Sequence, residues 1–171
     1  MPKRRARLRI AVAASGGLAL LVTVWVAQPI PRLVWNISAS APDGPYWVAP
    51  GARIERGDMV VARVPVRFRA LAAVRGYIPS GVPLVKQVAA GAGDQLCALD
   101  DTLYLNGTWL ATRRRRDGAG RPLPSWEGCV RLGVGQYFLL MPGRAASFDG
   151  RYLGVTDRAD ILGKAQLLWA R

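Results

Sequence analysis

Two serines two residues apart, Ser38 and Ser40, lead into a Pro-x-Gly bend within Asn36-Ile37-Ser38-Ala39-Ser40-Ala41-Pro42-Asp43-Gly44. In an extended segment residues i and i+2 share a face, so the two hydroxyls are expected to point the same way. Pro42 and Gly44 then turn the chain. A serine hydroxyl is a poor nucleophile unless a base takes its proton. The sequence contains no histidine, which excludes Ser-His-Asp and Cys-His arrangements and any metal site that needs imidazole. Two cysteines, Cys97 and Cys129, are too few for a four-thiolate zinc centre. Carboxylates, lysine or a terminal amine remain as bases, with no cofactor expected.

The best of these is a lysine held neutral, because burial disfavours its charged form and lowers its pKa by up to several units, whereas arginine stays charged. The chain has three lysines, Lys3, Lys86 and Lys164. Lys86 lies in Pro83-Leu84-Val85-Lys86-Gln87-Val88-Ala89. As a strand, this places Leu84, Lys86 and Val88 on one apolar face. The competing reading is an edge lysine that snorkels to water; the scarcity of lysine in an arginine-rich chain favours a functional one. Lys164 reads as an ordinary surface residue, and Lys3 belongs to the N-terminal flank. An acyl-transfer site also needs donors for an oxyanion. The Ser40 backbone N–H and the Ser38 hydroxyl are the natural pair, and Ser147 is a plausible partner to orient the lysine.

The elements that must position these groups are mostly short strands, since Gly and Pro are plentiful and dispersed. Leu33 to Ile37, Tyr46 to Val48, Met59 to Val64, Val82 to Ala90, Tyr137 to Met141 and Ile161 to Trp169 read as strands. Thr102 to Leu110 reads as a hairpin, its Asn106-Gly107 favouring a type I′ turn. Val66 to Arg75 reads as a short helix with Phe68, Leu71, Ala72 and Val74 as apolar positions, ended by Gly76. Ser147 to Gly154 reads as polar and turn-rich. The fold class is mainly β.

The N-terminus carries its own signal. Residues 1–9 hold Lys3, Arg4, Arg5, Arg7 and Arg9, and residues 10–27 hold no charge. As a helix that run would span about 27 Å, near the thickness of a bilayer core, with Trp25 at the interface. The positive flank is expected in the cytoplasm and residues 28–171 on the far side. A cleaved signal peptide is the competing reading, but the run is long and ends without a small-x-small site. The formal charge of +13 is carried mainly by arginine. It reads either as a solvated basic surface or as attraction to anionic lipid headgroups; no aromatic-interleaved basic motif points to nucleic acid. Arg113 to Arg116 reads as a solvated loop tip. Outside the cytoplasm Cys97 and Cys129 are expected to be oxidised, the alternative being two free buried thiols.

Taken together, these residues resemble the TraF-type conjugative transfer signal peptidases, a branch of the type I signal peptidase clan with a Ser-Lys dyad. The resemblance runs from Asn36 to Tyr46, through Arg75-Gly76-Tyr77-Ile78-Pro79-Ser80-Gly81-Val82-Pro83-Leu84-Val85-Lys86 and Ala89 to Asp94. It closes with Ser147-Phe148-Asp149-Gly150-Arg151-Tyr152-Leu153-Gly154 and Ile161 to Ala165. It implies Ser40 as nucleophile, Lys86 as general base, Ser38 as side-chain oxyanion donor and Ser147 as hydrogen-bond partner of the lysine. It implies Asp149 and Arg151 as a supporting acid–base pair, and a place for Lys164 outside the dyad. Pro45 stands where such proteins usually have leucine, which alters the expected groove rim. Gly150 stands where a serine is common before the arginine.

The implied fold is a signal-peptidase-like antiparallel β domain with one N-terminal transmembrane helix. The implied location is the bacterial inner membrane, single-pass, with the catalytic domain periplasmic. The implied partners are a pilin precursor or other membrane-emergent polypeptide, inner-membrane lipids and the conjugative transfer machinery of type IV secretion, with hydrolysis and cyclisation both open. The alternatives are a general type I signal peptidase and a non-catalytic secretion-channel scaffold.

Overall fold

Short β-branched runs separated by Gly and Pro turns pair antiparallel, and in a computed structural model they do so in two sheets. The structure describes residues 15–17, 30–38 and 40–170. The chain divides into Met1–Ile30 and Pro31–Arg171. In the first unit residues 15–17 are helical. The basic flank expected over 1–9 lies outside the described residues, and so does the anchor expected over 10–27 apart from those three. Among the described residues no helix is long and apolar enough to cross a membrane.

The second unit holds the strands β1 (Leu33–Asn36), β2 (Gly44–Ala49), β3 (Met59–Ala62), β4 (Leu84–Ala90), β5 (Gln95–Leu99), β6 (Thr102–Leu105), β7 (Thr108–Thr112), β8 (Gly128–Arg131), β9 (Gln136–Leu140), β10 (Thr156–Asp157) and β11 (Ile161–Leu167). Helices α1 (Val66–Val74) and α2 (Gly150–Leu153) interrupt them. Among the described residues the larger sheet runs β1-β2-β11-β3-β4-β9-β10 and the smaller β7-β6-β5-β8. The mainly β, antiparallel expectation agrees with this architecture.

The larger sheet is buried on both faces where it matters. Along β3, Val61 packs with Val85 and Met141, while its neighbours Val60 and Ala62 pack with Val88 and Leu139. Successive side chains of a strand point to opposite faces, so the strand feeds two cores at once. The Asn106-Gly107 hairpin joins β6 to β7, with φ of 52° and 80° at the two turn residues. Those are the positive values that a type I′ turn demands.

The smaller sheet carries the disulfide. Cys97 and Cys129 face each other in register across β5 and β8 and are bonded, 32 residues apart in sequence. Closing a loop of that size stabilises by roughly 3–4 kcal/mol in the chain-entropy account.

Three sequence readings are corrected. Arg113 is no solvated tip: it is 5% exposed, and its guanidinium donates to the carbonyls of Trp126 and Asp100 and to the Glu127 carboxylate. Arg114, Arg115 and Arg116 do stay exposed. Ser147 to Gly154, which reads as polar and turn-rich, is buried at all eight residues and contains α2. In α1, Ala72 is buried with Phe68 and Leu71 packed against the same cluster, but Val74 is 86% exposed. Two residues advance a helix by about 200°, so Val74 cannot share the face of Ala72.

Candidate active site

The loop after β1 is wound around one carboxamide. Asn36, the last residue of β1, donates through Nδ2 to the carbonyls of Ser38 (3.2 Å), Ala41 (3.1 Å) and Pro42 (3.2 Å). Its Oδ1 accepts from the Ser38 backbone N–H (3.3 Å) and from Ser38 Oγ (2.8 Å). Tyr46 Oη of β2 donates to the Pro42 carbonyl at 3.0 Å. Ser38 Oγ thereby comes to 3.0 Å from Ser40 Oγ. The i, i+2 spacing predicts two hydroxyls on one face of an extended segment at the end of a strand. The strand in fact ends at Asn36, and a hydrogen-bonded loop brings the hydroxyls together.

Lys86 arrives from the middle of β4, opposite Val60 of β3. Val60 and Val88 are both buried, so the lysine does lie on an apolar stripe. It is no snorkelling edge residue: it is 3% exposed. Its Nζ lies 2.6 Å from Ser40 Oγ, across 46 residues of sequence. Burial pushes its pKa down to about 8; Asp149 opposes that shift and Arg151 adds to it. A lowering of that size is worth roughly 3 kcal/mol against the charged form. An amine held in this way is available in its neutral form near neutral pH and sits within reach of a hydroxyl proton.

The second wall of the site is set by α2 and the turn before it. Asp149 caps α2, accepting from the Arg151 N–H, and forms a buried pair with the Arg151 guanidinium at 2.8 Å. The same carboxylate accepts from the Met141 N–H, and Arg151 Nη2 donates to the carbonyls of Arg144 and Ser147. Both ends of the 141–147 loop are therefore tied to one ion pair, and that loop presents Ala146 and Ser147 to the cleft. Ser147 Oγ is buried without a hydrogen-bond partner. The bond to Lys86 expected of it is not formed, although both residues line the same cleft of about 490 Å³.

Apolar side chains supply most of the remaining lining, Val34, Ile78, Val82 and Phe148 among them. Pro45, expected at the rim, is instead fully buried in β2 and absent from the lining. Lys164 lies in β11 and pairs with Asp58 at 2.7 Å. The disulfide belongs to the smaller sheet, whose residues do not line this cleft. Among the described residues no cluster of His, Cys, Asp and Glu is placed to hold a metal ion.

A family model described as signal peptidase, peptidase S26, matches residues 5–170. The chain belongs to the peptidase S26 family. Membership implies a serine peptidase of the signal peptidase kind. This S26 protein is 33% identical over 166 residues to a plasmid transfer protein TraF of Escherichia coli, covering 91% of this chain and 92% of that protein. A second Escherichia coli plasmid transfer protein TraF is 32% identical over 165 residues, with 91% of each chain covered. A signal peptidase I of Bacillus licheniformis is 30% identical over 95 residues, 52% of this chain and 51% of that one.

Asn36 is the residue that sequence reasoning passed over. The signal for it was faint: an Asn at a strand end, where its short amide competes for backbone groups. Nothing in the sequence says that five hydrogen bonds converge on it. The aromatic stack behind the cleft was also missed. Phe148 lies 4.7 Å from Tyr77 and 5.8 Å from Tyr152, centroid to centroid, and a polar reading of 147–154 hides it.

Proposed function

We propose that the protein is a serine endopeptidase in which Ser40 is the nucleophile and Lys86 the general base. The observation that carries this reading is the 2.6 Å contact between Ser40 Oγ and a lysine that burial keeps ready to lose its charge. Neutral Lys86 takes the Ser40 proton as Oγ attacks a peptide carbonyl. The Ser38 hydroxyl and the Ser40 backbone N–H receive the oxyanion. Lys86 then gives its proton to the leaving amine, and water or a second amine resolves the acyl-enzyme. Ser147, Asp149 and Arg151 support the site; the ion pair holds the 141–147 loop against the cleft.

The substrate in this reading is a polypeptide emerging from a membrane, the precursor of a conjugative pilin. The enzyme is anchored in the bacterial inner membrane by residues 10–27, with residues 28–171 in the periplasm. The basic flank before an uncharged run supports that orientation. Similarity over nine-tenths of two plasmid transfer proteins, against half of a signal peptidase I, favours conjugal transfer over general secretion.

The test is processing of the pilin precursor by wild type, Ser40→Ala, Lys86→Ala and Lys164→Ala. Loss in the first two variants and retention in the third is expected. Loss in Lys164→Ala alone overturns the assignment. Pilus assembly that survives Ser40→Ala points to a scaffold instead.

A further inference from the structure

Asn36 is 7% exposed, and the chemistry proposed above does not use it. Its hydrogen bonds nonetheless fix where a proton sits. Three backbone carbonyls surround one end of the carboxamide, and only an NH2 group can face three acceptors. Oδ1 therefore faces Ser38. It has no proton to give, so Ser38 Oγ–H donates to it at 2.8 Å. Ser38 then offers only lone pairs to Ser40 across 3.0 Å. Ser40 Oγ–H donates to Ser38, and Lys86 Nζ donates to Ser40 at 2.6 Å.

The hydroxyl relay thus runs from Lys86 through Ser40 and Ser38 to Asn36. For Lys86 to accept the Ser40 proton, that hydroxyl has to turn towards Nζ. Ser38 must then release Asn36 and aim its own proton at Ser40 or at an oxyanion. We propose that Asn36 is a positioning residue for the nucleophile: it shapes the loop that presents Ser40 and, by holding the Ser38 proton, sets the direction of the relay. This rests on the assignment of Ser40 and Lys86 to the chemistry.

The charged groups acting on Lys86 are Asp149 and Arg151, from the segment that closes the cleft. The neighbouring strands oppose β4 with Val60 from β3 and Leu139 and Leu140 from β9. None of these belongs to the loop that Asn36 holds, so a change at Asn36 reaches Lys86 through Ser40.

The experiment uses the full chain in detergent micelles with lysine labelled with 13C at Cε. It yields signals for Lys3, Lys86 and Lys164, and Lys164, paired to Asp58, reports whether the fold persists. Asn36→Ala removes the acceptor that completes the relay from a charged lysine. The Lys86 titration is expected to move down by roughly half a unit to one unit, the worth of one hydrogen bond. Asn36→Asp, which keeps the acceptor and charges it, moves the titration up. In a Ser38→Ala background there is no proton to hold, and Asn36→Ala shifts the titration by less, only by what the loop bonds to the Ser38, Ala41 and Pro42 carbonyls contribute.

An upward shift from Asn36→Ala, or an equal downward shift in both backgrounds, overturns the proposal. In turnover, Asn36→Ala lowers kcat on the order of tenfold to a hundredfold, as misplacement of a reacting group does, with KM little changed; an unchanged kcat also overturns it. If instead Ser40→Ala and Lys86→Ala remain active, the catalytic assignment falls, while the lysine shifts still decide what Asn36 holds.

Discussion

A buried amine within hydrogen-bond distance of a hydroxyl creates a pH switch whose sign is fixed. Lys86 works as a base only when neutral, and burial has brought its pKa down to about 8. On the proposed mechanism kcat/KM is therefore low in mild acid, where the amine is charged, and rises through an inflection near pH 8. Arg151 helps to hold the lysine low and Asp149 limits how low it goes. Lys86→Arg leaves a cation that cannot be deprotonated, so its activity is lost at every pH up to about 10. A pH–rate profile of the two proteins checks both statements; a flat wild-type profile from pH 6 to pH 9 sinks the lysine base. The same logic explains why Lys86 was legible in the sequence. Lysine is scarce there, histidine is absent, and an alternating apolar stripe leaves one cation no route to water. Asn36 was not legible, because its role depends on carbonyls that face it only after the loop has closed.

At the scale of elements, local chemistry reads well where it is local and poorly where satisfaction comes from a distance. Asn106-Gly107 specifies its hairpin because both turn residues need positive φ, which Asn and Gly adopt at little cost. Arg113 and the Ser147 to Gly154 segment mislead because their polar groups look as if they need water. In the structure they find protein partners instead: Arg113 donates to the carbonyls of Asp100 and Trp126 and to the Glu127 carboxylate, and Asp149 accepts from the Arg151 guanidinium and the Met141 N–H. Buried polar groups that are fully paired leave no trace in a hydropathy pattern.

Gly150 carries a related lesson. A serine at this position would be the commoner residue by resemblance, yet a Cβ here would lie 2.6 Å from the Leu139 carbonyl oxygen and 2.7 Å from the Phe138 ring. The glycine lets α2 pack directly on β9. Gly150→Ser is thus expected to destabilise the domain by roughly 1–3 kcal/mol, as overpacking does. It should also disturb the neighbouring Asp149–Arg151 pair. Thermal or denaturant unfolding measures the loss, and a variant as stable as wild type shows that β9 and α2 separate more easily than their packing implies.

For the whole molecule, the question is what the N-terminal run contributes beyond the chemistry. Among the described residues, Pro31–Arg171 contains both sheets, the disulfide and the residues that line the cleft, and the core clusters within it are built from its own strands, helices and loops. It therefore has what a domain needs to fold alone. If residues 10–27 serve as an anchor, their work is to hold enzyme and substrate in one plane, which raises local concentration without altering the reacting groups. A protein comprising residues 31–171 is then expected to cleave a short soluble peptide with the kcat and the pH inflection of the full chain. It should lose most of its advantage on a precursor embedded in vesicles. Restoring an unrelated single-pass anchor of similar length should return that advantage, since the plane matters and the sequence within it does not. Equal rates of the two forms on the embedded precursor contradict the anchoring role, and a failure of the shortened form on the soluble peptide shows that the N-terminal segment helps to shape the site itself.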